Sequence, residues 1–168
     1  MSDVTNVKVG ICDVYFNAVH LGHTKGGVEV SYEPVYHEVA VDAYGETPVE
    51  KYLIGEKWTA KVPLAEYTIA NLNIAIPQST LAGSNSRVTI GAKAGKKATT
   101  DAAQLILHPV GATAAENDIV LYKAYVDSTV VLPHRNDEER VVEVTFIALL
   151  DETKSDGNYL GLIGDSSA

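Results

Sequence analysis

The sequence predicts a mainly β fold, a β-sandwich or flattened barrel carrying one α-helix and a long extended hairpin, on three observations. Apolar and polar residues alternate with period two along much of the chain, the mark of strands with one buried and one wet face. Helical apolar spacing is convincing only once, in TIANLNIAIP at 68–77. Residues 28–67, VEVSYEPVYHEVAVDAYGETPVEKYLIGEKWTAKVPLAEY, read as two strands, each longer than the usual length of about five to six residues, joined by a polar tip.

Taken in order, Val7, Val9 and Ile11 start a strand that continues through Val14, Tyr15 and Phe16, with Asn17 and Ala18 as a turn and 19–21 as a short return. GHTKGG at 22–27 has the composition of a flexible joint. In the long ribbon Val28, Val30 and Tyr32 alternate with Glu29, Ser31 and Glu33. After Pro34, His37, Val39 and Val41 alternate with Glu38, Ala40 and Asp42. On the return arm Trp58, Ala60 and Val62 face one way and Lys57, Thr59 and Lys61 the other. The tip at 42–48 is longer than the two-residue loop that a compact hairpin prefers, and a loop that reaches is commonly one that binds.

In the helix, Ile69, Leu72 and Ile76 form the apolar stripe, Thr68 is the N-cap and Pro77 the stop, with Ala65 allowing a start one turn earlier. QSTLAGSNS at 78–86 reads as a loop. Strands at 88–92 and 104–108 flank a basic, glycine-containing tip, AKAGKKATTD, and 112–118 is a surface connection. Residues 119–126 and 141–150 are strands, the second with Val142, Val144, Phe146 and Ala148 on one face. HRNDEER between them is a charged turn. The segment 151–168 is polar, with Tyr159, Leu160, Leu162 and Ile163 as its anchors. The chain is expected to form one domain.

A formal net charge of −9 argues against a protein that grips nucleic-acid phosphates, because that grip comes from Lys and Arg. The single cysteine, Cys12, admits no intrachain disulfide and fits a reducing compartment, as a small buried hydrophobe. Residues 1–10 contain Asp3 and Lys8 and no apolar run, so no signal peptide is expected, and no stretch approaches the roughly 20 apolar residues of a membrane span.

Catalytic chemistry finds little to build on. His20 and His23 in HLGH lie near Asp13, and His37 follows, but the glycines around them oppose a helix and no second ligand cluster has zinc-like spacing. No G-x-S-x-G element, GxGxxG or GxxxxGK[ST] occurs; GAKAGKKATT has the lysines without the spacing. No catalytic, cofactor or metal residue is assigned, and an enzyme is not expected. The basic loop 93–97 is either an anion- or partner-contacting loop or a solvated hairpin tip. Tyr32, Tyr36, Tyr44, Tyr52 and Tyr67 lie in or beside the ribbon; Tyr suits subunit interfaces, and Tyr44 at the tip is the strongest candidate for one. Tyr32 and Tyr67 are expected to pack on the sheet face.

The string DVYFNAVHLGHTKGGVEVSYEPVYHEVAVDAYGETPVEKYLIGE, then KVPLAEYTIANL and LILHPVG, resembles the major tail tube proteins of tailed bacteriophages. The likeness covers somewhat more than a third of the chain closely. It implies a β-sandwich or barrel with one helix, closing edge to edge into hexameric rings that stack into a hollow tube. Implied partners are copies of itself, tape-measure, tail terminator and tail-tip or baseplate proteins. Genomic DNA would pass through the lumen without specific binding, in a virion tail assembled in the host cytoplasm. Tyr44, Gly45, Glu46, Thr47 and Pro48 fall where such proteins reach to the next ring. Glu29, Glu33, Glu38 and Asp42 are the candidate lumen residues, since Val28, Val30, Val39 and Val41 need the core. Lys57 and Lys61, expected on the opposite face, are candidates for ion pairs between subunits. The segment 151–168 is an inter-subunit arm or a loose end.

A different class, a β-sandwich binding or decoration module of a virion for carbohydrate or surface binding, needs a concave aromatic face. Along the sequence the aromatics are spread out rather than clustered.

Overall fold

The computed structural model describes residues 10–112 and 115–165. Its strands are β1 (Cys12–Phe16), β2 (Val19–His20), β3 (Glu29–Ala40), β4 (Pro48–Leu64), β5 (Thr80–Ala82), β6 (Arg87–Thr89), β7 (Ala103–Pro109), β8 (Ile119–Val126), β9 (Val142–Ala148) and β10 (Gly161–Ile163). One α-helix, α1 (Ile69–Ala75), follows β4. The main sheet is antiparallel and runs β2-β1-β7-β8-β9-β4-β3, with β10 added to β8 beside β9; β5 and β6 form a separate two-stranded sheet. The fold is the mainly β architecture with one helix that the alternation predicts.

The sheet curls without closing. Phe16 on β1 and Phe146 on β9 are separated by two intervening strands, yet their rings meet with centroids 5.1 Å apart. The core they share includes Val14, Leu64, Leu105, Leu121 and Val144, all at most 1% exposed. On β9 the buried residues are Val142, Val144, Phe146 and Ala148, the face expected from period two.

The segment at 21–25 draws the two ends of this curl together. Leu21 N–H donates to Val14 O, Ala65 N–H to His23 O, and Lys25 N–H to Pro63 O, while Thr24 bridges Leu64. The expected flexible joint is therefore a tethered crossing from β1 to β4, because its backbone groups find sheet partners on both sides. Asn17 and Ala18, at φ 51° and 61°, make the turn between β1 and β2.

Helix α1 begins at Ile69, as Thr68 predicts: the Thr68 hydroxyl accepts from Asn71 N–H at 3.1 Å. Its buried face differs from the expected stripe. Asn71, Leu72 and Ala75 are buried and Ile69 is exposed, a rotation of the stripe toward the small and polar positions. The reason is Asn71, whose amide donates to Leu21 O and Glu66 O, both at 2.9 Å. A buried polar group must be hydrogen-bonded, and this one ties the helix to the crossing segment.

Three further expectations change. Residues 78–86 are not all loop, because 80–82 pair with 87–89 as a small hairpin. The basic loop 93–97 is accordingly not a hairpin tip: β6 pairs with β5, and β7 with β1 and β8. The C-terminal segment folds back on its own chain, Leu162 lying opposite Val120. The start of the first strand at Val7 and Val9, and the last three residues, lie outside the described residues.

Candidate assembly interface

The feature that stands apart from the core is the ribbon of β3 and β4. Near the body, Tyr32 lies across from Trp58, Val30 from Ala60 and Glu29 from Lys61. Here Trp58, Ala60, Val62 and Leu64 are buried. β4 pairs with β9 only over residues 59–64, so from Lys57 back to Pro48 β3 is its sole strand neighbour among the described residues. β3 is the last strand of the sheet and has no second neighbour among the described residues. The outer half of the ribbon thus has two open edges and two exposed faces.

That half carries apolar side chains that no core covers. Tyr36, Val49, Tyr52, Leu53 and Ile54 are all about half exposed or more, Ile54 at 66%. An isolated two-stranded hairpin is marginal in water, and open apolar edges invite pairing with another chain. At the tip, Asp42–Tyr44 form a 3₁₀ turn and Gly45, at φ 64°, reverses the chain; Tyr44 is 68% exposed. Gly45, Glu46, Thr47 and Pro48 are exposed beside it.

The premise that four carboxylates share one face does not hold. β3 is regular, so Glu29 and Glu33 point one way and Glu38, at an even position, points the other; Asp42 lies beyond the strand in the 3₁₀ turn. Nor are the lysines opposed to the acids. Lys61 lies across from Glu29 and Lys57 across from Glu33, on the same face. Lys61 is held within its own chain by Glu143 at 3.2 Å. Glu38 pairs with Lys51 at 2.6 Å, and that hydrogen bond raises the Lys51 ammonium above its ordinary value. Alternation before Pro34 holds for Val28 and Val30, which pack partly against the core, but valines at 39 and 41 need no core when the ribbon has left it.

Tyr32 is half exposed rather than packed. Its hydroxyl donates to Glu56 Oε1 at 2.6 Å, which raises the phenol above its usual range. Tyr67 is partly buried, with the Arg140 guanidinium 5.5 Å from its ring centre. Between the ribbon base and the C-terminal segment lies a cleft of about 330 Å³, walled by Tyr32, Glu56, Trp58, Asn158, Tyr159 and Leu160. No pattern along the chain points to this cleft, because Tyr159 reaches Tyr32 and Trp58 only once β10 has paired with β8.

The remaining candidates do not assemble into chemistry. His20 Nε2 is 3.4 Å from Asp13 Oδ1 and His23 Nε2 3.9 Å from Glu66 Oε1, both at the surface, while His37 lies out on the ribbon. Among the described residues no group of three or more His, Cys, Asp or Glu is placed to hold a metal. Cys12 is half-buried, and burial followed by the Asp13 charge pushes its thiol up, away from the reactive thiolate. No helix of the described residues is long and apolar enough to cross a membrane.

The fold and the ribbon define a mainly β chain with an uncovered, apolar, edge-exposed arm. Compared with models of known protein families and with curated proteins, the chain matches none significantly.

Proposed function

We propose that this chain is a structural subunit that polymerises with copies of itself as a virion tail tube protein, forming stacked hexameric rings. The single observation that carries the reading is the outer ribbon, whose two open edges and apolar faces need another chain to cover them. A second copy offers the same edge in a repeating geometry, and a rotation that closes makes a finite ring rather than a runaway fibre. The tip around Tyr44, with Glu46, Thr47 and Pro48, is the part of the arm farthest from the body and reaches toward the next ring.

The conduit role follows from charge. DNA carries a negative charge about every 1.7 Å of its axis, and a chain at −9 offers it few phosphate partners. Glu29 and Glu33, exposed on one ribbon face, are the bore candidates that remain together; Glu38 and Asp42 belong elsewhere. Tape-measure, terminator and tail-tip or baseplate proteins are the further partners of such a tube.

Negative-stain microscopy of the purified chain across a concentration series tests this. Rings and tubes are expected, and replacing residues 43–47 by a short glycine turn should leave rings that no longer stack into tubes. A monodisperse monomer at every concentration refutes the reading. The second reading, a binding or decoration module, draws on the aromatic cleft at the ribbon base; a stable monomer that binds glycans favours it.

A further inference from the structure

We infer that the cleft at the ribbon base receives a lysine side chain from residues 93–97 of a second copy of this chain, an inference that rests on the self-assembly reading. The cleft presents the rings of Tyr32, Trp58 and Tyr159 and the Glu56 carboxylate, and no residue that lines it is basic. Aromatic faces beside a carboxylate attract an organic cation with an apolar stem: the four methylenes lie along the rings and the ammonium meets the acid. Glu56 has the capacity, since Oε1 accepts from Tyr32 and Oε2 has no partner among the described residues.

The same geometry disfavours a neutral sugar. Most of the polar ends that would read its hydroxyls are already engaged: Tyr32 donates to Glu56, Tyr159 to Asp156, and Asn158 Oδ1 accepts from Tyr122 at 2.9 Å. What remains is ring surface, the Asn158 amide N–H and one negative charge.

The cation comes from the one motif that the tube reading leaves unused. Lys93, Lys96 and Lys97 stand within five residues on an exposed loop between β6 and β7, in a chain that is otherwise strongly acidic. Lys96 is taken by Asp101 at 3.3 Å, but Lys93 and Lys97 meet no acidic or aromatic partner among the described residues. Lys57 and Arg87 are the other such cations there. Lys57 lies on the opposite ribbon face from Trp58, and Arg87 stands alone in the small hairpin. No hydrogen bond or ion pair among the described residues joins the loop to the cleft of its own chain, whereas the loop's lysines complement the charge of a neighbour's cleft.

Trp58 is the only tryptophan, so its emission reports the cleft directly. The synthetic peptide GAKAGKKATT, residues 91–100, titrated onto the folded full-length chain should change that emission saturably at about millimolar concentration. E56Q should weaken binding at least about fivefold, and a peptide with its three lysines replaced by glutamine should not bind. In the assembly arm, K93E/K97E should raise the concentration needed for rings about tenfold or more, and E56K in the same chain should restore part of the loss. An emission that is unchanged, that responds equally to the lysine-free peptide, or that responds only to a glycan panel overturns the inference, as does K93E/K97E assembling like wild type. A wild-type chain that stays monomeric while binding the peptide refutes the tube and keeps the contact. Wild-type tubes with a peptide that leaves Trp58 unchanged do the reverse.

Discussion

Tyr36 lies directly across from Leu53, one residue out of step with the neighbouring pair Val35 and Gly55, so Ile54 is an extra residue on β4. A bulge of this kind bends its strand and increases local twist. It sits where the ribbon has passed the end of β9, and it sets which face Tyr52, Leu53 and Lys51 present. Deleting Ile54 should flip those side chains. Because the outer ribbon adds nothing to the core, the thermal midpoint should move by only about 2–3 °C, while rings disappear in negative stain. Rings that persist in the deletion variant would mean that the bulge has no part in assembly.

Phe146→Ala tests the core. Phe146 is fully buried and its ring meets Phe16 across the curl. The substitution should cost about 3–5 kcal/mol in urea denaturation. A loss under about 1 kcal/mol would deny the packing of β9 on β1.

Gly161→Ala tests the C-terminal strand. A Cβ there would collide with the Val120 carbonyl oxygen and lie 2.8 Å from the Trp58 ring. Neither neighbour is free to yield, since the oxygen is backbone and Trp58 is buried. The expected outcome is release of β10 with the body still folded, read as a red shift of Trp58 emission and rapid amide exchange at 161–163. Unchanged protection at Leu162 counts against it.

His108 gives the pH dependence. Its Nδ1 is 2.6 Å from Asp118 Oδ1, and this hydrogen bond raises the imidazole above its ordinary value, burial opposing and the Asp118 and Asp13 charges assisting. A raised folded value means that the contribution is fully present below the unfolded value of about 6.5 and is lost as pH climbs through the folded one. The difference in melting temperature between wild type and His108→Gln should be largest near pH 6 and fade on the alkaline side. A difference that grows with pH would reverse the assignment.

Glu29→Lys with Glu33→Lys tests the bore. Both are exposed, so the chain should fold and form rings, while ejection of DNA from assembled particles slows. Ejection at the wild-type rate removes these two residues from the lumen.

Much of this fold can be read along the chain because its causes are local. Val142, Val144, Phe146 and Ala148 alternate on a strand with one buried face, and Thr68 caps a helix whose N-terminus it immediately precedes. Asn17 and Ala18 mark their turn. Local rules failed where the partner was distant. Ile69 belongs to the apolar stripe that helical spacing predicts yet lies exposed, because Asn71 finds Leu21 O fifty residues away, and that pairing turns the helix. The glycines at 22–27 suggested looseness, which backbone pairing with 63–65 removes.

The same division holds for the candidate interface. The length of the two arms, the tyrosines and the polar tip follow from composition and period, which every residue carries with it. Where the core ends along β4, which side Glu38 faces and how Tyr159 comes to stand beside Trp58 depend on strand partners. Those are decided by pairing between residues far apart in the chain, and period-two alternation is silent about which neighbour a strand will have.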